Sequence, residues 1–208
     1  MSGPTAPNRR EPHGDGPRAR ARILARVTRA AALRDRLPHP GRLDTPVPPD
    51  PVATFVNRFT SQGGEVATPD PDRAPRDWLT TFLGELGAGI ATIALGADVP
   101  PGLQPRLPGA APAHADAGIS MAWGAVAETG SLILPSTGTR AVQLLPPLHV
   151  VWIPADRVFA RLEDALLEMV PTLPGSVGLH SGPSKSADIG QTVVTGVHGP
   201  GRCIAVVH

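Results

Sequence analysis

Leu148-His149-Val150-Val151-Trp152-Ile153 lies between Pro147 and Pro154, and Asp156 then opens a helical pattern that stops at Pro171. The run is apolar and of strand length. After it, Val158, Leu162, Ala165, Leu166 and Met169 recur at helical spacing while Glu163, Asp164 and Glu168 take the opposite face, with Asp156 as N-cap. An apolar strand joined to an amphipathic helix is the repeating unit of an α/β fold with a parallel sheet.

The same alternation extends in both directions. Upstream, Asp50-Pro51 supplies an N-cap and a proline at the first helical position, and Val52, Phe55, Val56 and Phe59 repeat at i, i+3, i+4, i+7. Gly63-Gly64 ends that helix and Glu65-Val66-Ala67 reads as a short strand. Pro75 opens a second helix with Trp78, Leu79, Phe82, Leu83 and Leu86 on one stripe, and Gly89 to Ala94 reads as a buried strand. A proline-rich loop from Pro100 to Pro112 precedes strands expected near Trp123 to Ala127 and Ser131 to Leu134, and a short helix near Arg140 to Leu145. Strands near Val177 to His180 and Cys203 to Val207 complete an open, largely parallel sheet with helices on both faces.

At 208 residues and 41% hydrophobic the chain buries a real core, and the expected organisation is a tail over 1–17, a helix and linker over 18–49, and one α/β domain over 50–208. The apolar runs fall far short of the roughly 20 residues of a membrane span. The Pro/Gly/Arg-rich N-terminus has no apolar core of a signal peptide, so a cytoplasmic location is expected. Nine arginines against Glu11, Asp15 and Asp35 give the first 36 residues a net charge of +6, while the whole chain carries +1. Such an arm fits nucleic acid, an acidic partner or simply a solvated helix face. With 3% aromatics and no tyrosine, a base-stacking platform is not supported. Cys203 is the only cysteine, which excludes an intrachain disulfide and any cluster or zinc site built from several thiolates of this chain.

Three glycine-punctuated segments carry the chemistry. In Ser181-Gly182-Pro183-Ser184-Lys185-Ser186-Ala187-Asp188-Ile189 the glycine spacing of a phosphate loop is missing, so a nucleoside triphosphatase is not indicated. Serine hydroxyls, backbone amides and Lys185, the one lysine, placed before a helix start, form either an anion nest or an ordinary capped turn. In Gly196-Val197-His198-Gly199-Pro200, glycines allow close backbone approach beside an imidazole suited to acid–base work, or to a hydrogen bond within a tight turn. His149, His180 and His198 have no metal-ligand spacing. Glu128, in Glu128-Thr129-Gly130, is the sole acid between Asp116 and Asp156, and either pairs with Arg140 or faces a ligand. Each segment adjoins a strand, and ligands of open α/β sheets bind beyond the carboxyl ends of strands, so Glu128, Ser181, Lys185, Asp188 and His198 are expected to meet there.

Ala127-Glu128-Thr129-Gly130-Ser131-Leu132-Ile133-Leu134, Pro147-Leu148-His149, the segment from Ser181 to Ile189 and the segment from Gly196 to Pro200, in this order, resemble the LUD domain and specifically the lactate utilization protein C family. The likeness runs from about residue 115 to the end and is looser in the front half. It implies a fold similar to the sugar-isomerase and CoA-transferase superfamily, and a part in oxidising L-lactate to pyruvate beside iron–sulfur partner proteins, with no cofactor in this chain. It supplies no established catalytic residue. Glu128 and His198 are the catalytic candidates, and Thr129, Gly130, Arg140, Ser181, Gly182, Ser184, Lys185, Asp188, Gly196 and Gly199 the candidate ligand contacts. Two classes of function follow: a non-cluster subunit of a lactate-oxidising assembly, or a stand-alone enzyme of CoA-transferase or sugar-phosphate-isomerase type acting on an anionic substrate.

Overall fold

The computed structural model describes residues 16–32, 46–87, 89–136, 140–187 and 193–208. The chain divides into two compact units, Met1–Thr45 and Pro46–His208. The first contains helix α1, Gly16–Ala32. The part of the expected linker before residue 46 lies outside the described residues. Among the described residues no helix is long and apolar enough to cross a membrane.

In the second unit, α2 spans Pro51–Ser61 and starts as its sequence directs: the Asp50 carboxylate accepts from the Ala53 amide at 2.9 Å, and Pro51 occupies the first turn, where no amide is missed. Phe55 and Phe59 stack with ring centroids 5.4 Å apart and are wholly buried. A Cβ on Gly64 would sit 2.3 Å from the Phe59 ring, so only glycine lets the chain turn back over that ring into β1, Glu65–Ala67. Helix α3, Pro75–Glu85, buries Leu79 and Leu83. Strand β2 is Ile93–Leu95, shorter than the expected Gly89 to Ala94. The reason is local: the Ala91 and Thr92 amides and the Thr92 hydroxyl all donate to Asp116 Oδ2, at 3.0, 2.8 and 2.9 Å, and so leave the sheet ladder.

The remaining elements are β3 (Ala117–Met121), β4 (Gly124–Val126), β5 (Ser131–Pro135), α4 (Ala141–Leu144), β6 (Leu148–Ile153), β7 (Val158–Phe159), α5 (Leu162–Met169), β8 (Val177–His180), β9 (Lys185–Ala187), β10 (Val193–Thr195) and β11 (Arg202–Val207). Five strands form an all-parallel sheet in the order β1-β11-β6-β3-β2. A second sheet, β7-β4-β5-β8, is antiparallel except for the β4–β7 pair, and β9 and β10 form an antiparallel hairpin.

Three expectations are corrected here. Strand β3, which pairs with both β2 and β6, escapes the sequence reading because Ala117-Gly118-Ile119-Ser120 has little β-branched character. Asp156 does not cap a long helix. It lies in a 3-10 turn, Val158 and Phe159 pair with Ala125 and Val126, and α5 begins only at Leu162. Strands β4, β5 and β8 do not join the parallel sheet, since they build the second one.

Side-chain alternation along the parallel strands sorts the core into layers. Val150 and Trp152 of β6 and Ile204 and Val206 of β11 pack with Leu79 and Leu83 of α3. Val151, Ile153, Ala205 and Val207, on the other face, meet Phe55 and Phe59 of α2 together with Leu132 and Leu134 of the second sheet. That sheet's far side, Val126 and Ile133, is sealed by Ala165 and Met169 of α5. Each such fully buried large side chain contributes about 1.5–3 kcal/mol of transfer free energy. Helices therefore do lie on both faces of the parallel sheet, but on one of them the second sheet shares the space.

Candidate functional site

A cavity of about 220 Å³ opens where the loop after β8 passes the entering ends of β6 and β11. Its inner wall is set by the ladder. His149 is register partner of Cys203 on one side and of Gly118 on the other, so all three belong to adjacent central strands. His149, Cys203, Leu179 and His180 line the cavity, joined by Ser181, Gly182 and Ser184 from the loop after β8 and by His198, Gly199 and Pro200 from the turn before β11. Leu144 of α4 closes one side. A Cβ on Gly118 would lie 2.1 Å from the Val142 carbonyl oxygen, so glycine alone allows α4 to pack this closely on β3.

The cavity is at the amino ends of the parallel strands, since His149 and Cys203 are each the second residue of a strand. The expectation of a site beyond the carboxyl ends does not describe it. The second sheet is the cause: β8 brings His180 and the following loop to this end of the first sheet.

His149 is completely buried, with Nε2 3.0 Å from the Ser120 hydroxyl and Nδ1 without a hydrogen-bond partner among the described residues. Burial, reinforced by His180, pushes its pKa down to about 3, so the ring is neutral at physiological pH. His180 sits edge-on to it with centroids 6.2 Å apart, and its pKa is also lowered, first by burial and then by the Arg140 charge. Burial, assisted by Glu65, raises the Cys203 thiol to about 12, which makes it a poor nucleophile at neutral pH. Two neutral imidazoles beside serine hydroxyls can accept and donate hydrogen bonds, and His149, with its pKa near 3, stays neutral while doing so. Among the described residues no group of three or more His, Cys, Asp or Glu side chains is placed to hold a metal ion.

Of the residues singled out from sequence, Ser181, Gly182, Ser184, His198 and Gly199 line the cavity. Lys185 does not: its ammonium donates to the Gln62 carbonyl at the end of α2. No helix begins at Lys185, which instead opens β9, so the anion nest capped by a helix dipole is not built there. Asp188 lies outside the described residues. Gly196, at φ +80°, donates its amide to the Ser184 carbonyl at 2.9 Å and packs on Gly201, a role in closing the hairpin.

Glu128, Thr129 and Gly130 do not line the cavity either. They form the β4–β5 turn on the end of α2, where Arg58 Nη1 donates to the Glu128 carbonyl and Gln62 Nε2 to the Thr129 carbonyl at 3.0 Å. Gly130 is left-handed at φ +61°, and a Cβ there would be 2.8 Å from the Phe59 amide nitrogen. No ion pair joins Glu128 to Arg140 among the described residues, and the Arg140 charge acts on His180 instead. Ser131, which follows the turn, places its hydroxyl 2.6 Å from that of Ser181 at the cavity. His149, His180 and Cys203 were not chosen as site residues from sequence. The available signal was a histidine inside the apolar run Leu148 to Ile153, where a polar side chain is costly unless it has a purpose.

Residues 111–207 match the family model of the LUD domain. A lactate utilization protein C of Halalkalibacterium halodurans is 37% identical over 102 residues, covering 45% of this chain and 44% of that protein. One from Bacillus velezensis is 30% identical over 159 residues, covering 73% and 64%. The chain thus spans about 44% of the length of relatives such as the first. A crystal structure of a DUF162 family protein from Deinococcus radiodurans has a similar fold, with a TM-score of 0.57, 20% identity and coverage of 76% of this chain and 95% of that one.

Proposed function

Taking as premise that the chain belongs to the LUD domain family through residues 111–207, we propose that it is the non-cluster subunit of a cytoplasmic system that oxidises L-lactate to pyruvate with iron–sulfur partner proteins. In this reading the cavity between His149, His180 and His198 holds the substrate. One observation carries the proposal: Pro147-Leu148-His149 lies well before the neighbouring Ser181 and Gly196 segments in sequence, yet all three contribute lining residues to the same cavity. The names of the relatives supply the substrate class.

Oxidation of L-lactate releases two electrons and two protons. The neutral imidazole of His180 is suited to take the hydroxyl proton, and the nearby Arg140 charge favours a carboxylate. The C2–H bond must break as well: its proton would leave to solvent, and iron–sulfur partners would supply the acceptor for the two electrons, because a cluster is held by several thiolates and the chain has one cysteine. The stand-alone CoA-transferase or isomerase reading gains nothing from Glu128, which is not at the cavity.

The test is reconstitution. The purified chain alone should not turn over L-lactate with an artificial electron acceptor, whereas addition of the iron–sulfur proteins should give lactate-dependent cluster reduction that His180→Ala abolishes. Robust turnover by the chain alone would replace the subunit by the stand-alone enzyme.

A further inference from the structure

His149 lines the cavity, is wholly buried, and has one ring nitrogen in use: Nε2 is 3.0 Å from the Ser120 hydroxyl, while Nδ1 has no hydrogen-bond partner among the described residues. The strand ladder makes the pair. His149 is register partner of Gly118, and Ser120, two residues further along β3, lies on the same face of the sheet. Burial keeps the ring neutral, so one nitrogen carries a proton and the other a lone pair.

Which nitrogen carries the proton follows from the groups each tautomer strands. Were Nε2 to donate to Ser120, both the serine proton and the Nδ1 lone pair would be buried without a partner among the described residues. With Ser120 donating to Nε2, the Nδ1–H is the single donor left over. A buried donor without an acceptor is costly, and an oxygen of a bound molecule removes that cost. No aspartate or glutamate is among the described residues that line the cavity, so the acceptor arrives with the ligand.

Resting on the subunit reading above, we propose that His149 donates its Nδ1–H to the C2 oxygen of the substrate, hydroxyl in L-lactate and ketone in pyruvate, and that Ser120 is the positioning residue that fixes this tautomer. The two imidazoles then have separate roles. His180 takes the hydroxyl proton, the C2–H proton leaves to solvent and the two electrons go to the iron–sulfur partners, while the His149 proton stays on Nδ1 and no covalent bond of that ring changes. Negative charge grows on the C2 oxygen as its proton leaves, and a donor already in place stabilises that oxygen more than the resting hydroxyl.

Nitrogen NMR of the isotope-labelled full chain should find the His149 proton on Nδ1, and Ser120→Ala should let it redistribute between the two ring nitrogens. Calorimetry with pyruvate and with propionate, the carboxylate that lacks a C2 oxygen, reads the contact without turnover. Wild type should prefer pyruvate by roughly tenfold or more. His149→Gln, whose amide takes the Nε2 place and keeps the Ser120 contact, should lose this preference while its urea midpoint at neutral pH stays near that of wild type. His149→Asn, whose amide takes the Nδ1 place, should retain it. A proton on Nε2 in wild type, or a pyruvate preference that His149→Gln keeps, overturns the assignment and leaves the subunit reading to stand on reconstituted lactate oxidation. Binding of neither anion by wild type overturns both.

Discussion

Lys185, the only lysine of the chain, donates its ammonium to the carbonyl oxygen of Gln62 at the C-terminal end of α2. Helix ends leave their last carbonyls unsatisfied and carry partial negative charge, so a cation there is favourable. Arg58 and Gln62 of the same helix end hold the Glu128–Gly130 turn. Two of the segments that carry the family likeness are thus fastened to one helix terminus, and the loop after β8 is set in place beside the cavity.

Lys185→Ala should therefore act on stability before it acts on ligand. We expect a loss of about 0.5–1.5 kcal/mol, the usual range for one hydrogen bond at a partly exposed site, read as a lower urea midpoint. Affinity for L-lactate or pyruvate should change little. A large loss of anion affinity with an unchanged midpoint would restore the lysine to the ligand site.

Acid should destabilise the fold in a window set by His149. Its folded pKa of about 3 lies below the ordinary value near 6.5, so between these values the unfolded chain binds more protons. Stability is then fully present above about pH 6.5 and falls as pH drops toward 3, by up to about 1.4 kcal/mol per pH unit for one such group. The lowered pKa of His180 adds in the same direction. Denaturant midpoints from pH 7 to pH 5 should decline in the native protein and decline less in His149→Gln; identical slopes would contradict the assignment.

Removing the Ser120 hydroxyl leaves His149 Nε2 buried without its partner at 3.0 Å. Ser120→Ala should cost about 1–3 kcal/mol, the penalty for an unsatisfied buried polar atom. Chemical denaturation checks it, and a cost near zero would mean that water or a rearranged ring replaces the bond.

Gly118→Ala introduces a Cβ 2.1 Å from the Val142 carbonyl oxygen, and backbone must move. The expected loss is about 1–3 kcal/mol with ligand affinity reduced, since α4 bears Leu144 against the cavity. Gly102→Ala, which meets nothing within 4 Å, is the matched control and should be silent.

Cys203 should resist thiol reagents in the native state at pH 8, being 2% exposed with a pKa pushed up to about 12, and react at once in denaturant. Rapid native labelling would show that the cavity opens to its inner wall.

Local chemistry alone determined much of this protein. Asp50-Pro51 ahead of Phe55 and Phe59, Pro75 ahead of Leu79 and Leu83, and the apolar runs Leu148 to Ile153 and Cys203 to Val207 specify helices and strands through caps and periodicity, which act over a few residues. The four segments from Ala127 to Pro200 likewise carry the LUD-domain likeness without any coordinates, and they lie within the matched residues 111–207. What only the tertiary structure decided is pairing and placement. Ala117–Met121 becomes an inner strand because β2 and β6 flank it, against its own weak propensity, and Val158-Phe159 becomes a strand because β4 offers an open edge. The site follows the same logic. Nothing near His149, His180 or Cys203 in sequence says that β8 of one sheet reaches the entering ends of β6 and β11 in the other, an arrangement that sets two imidazoles 6.2 Å apart and brings Lys185, in the segment after β8, to the end of α2. Side-chain periodicity is a property of neighbours along the chain, whereas a cavity wall is a property of neighbours across it, fixed by which buried faces find each other when the core closes.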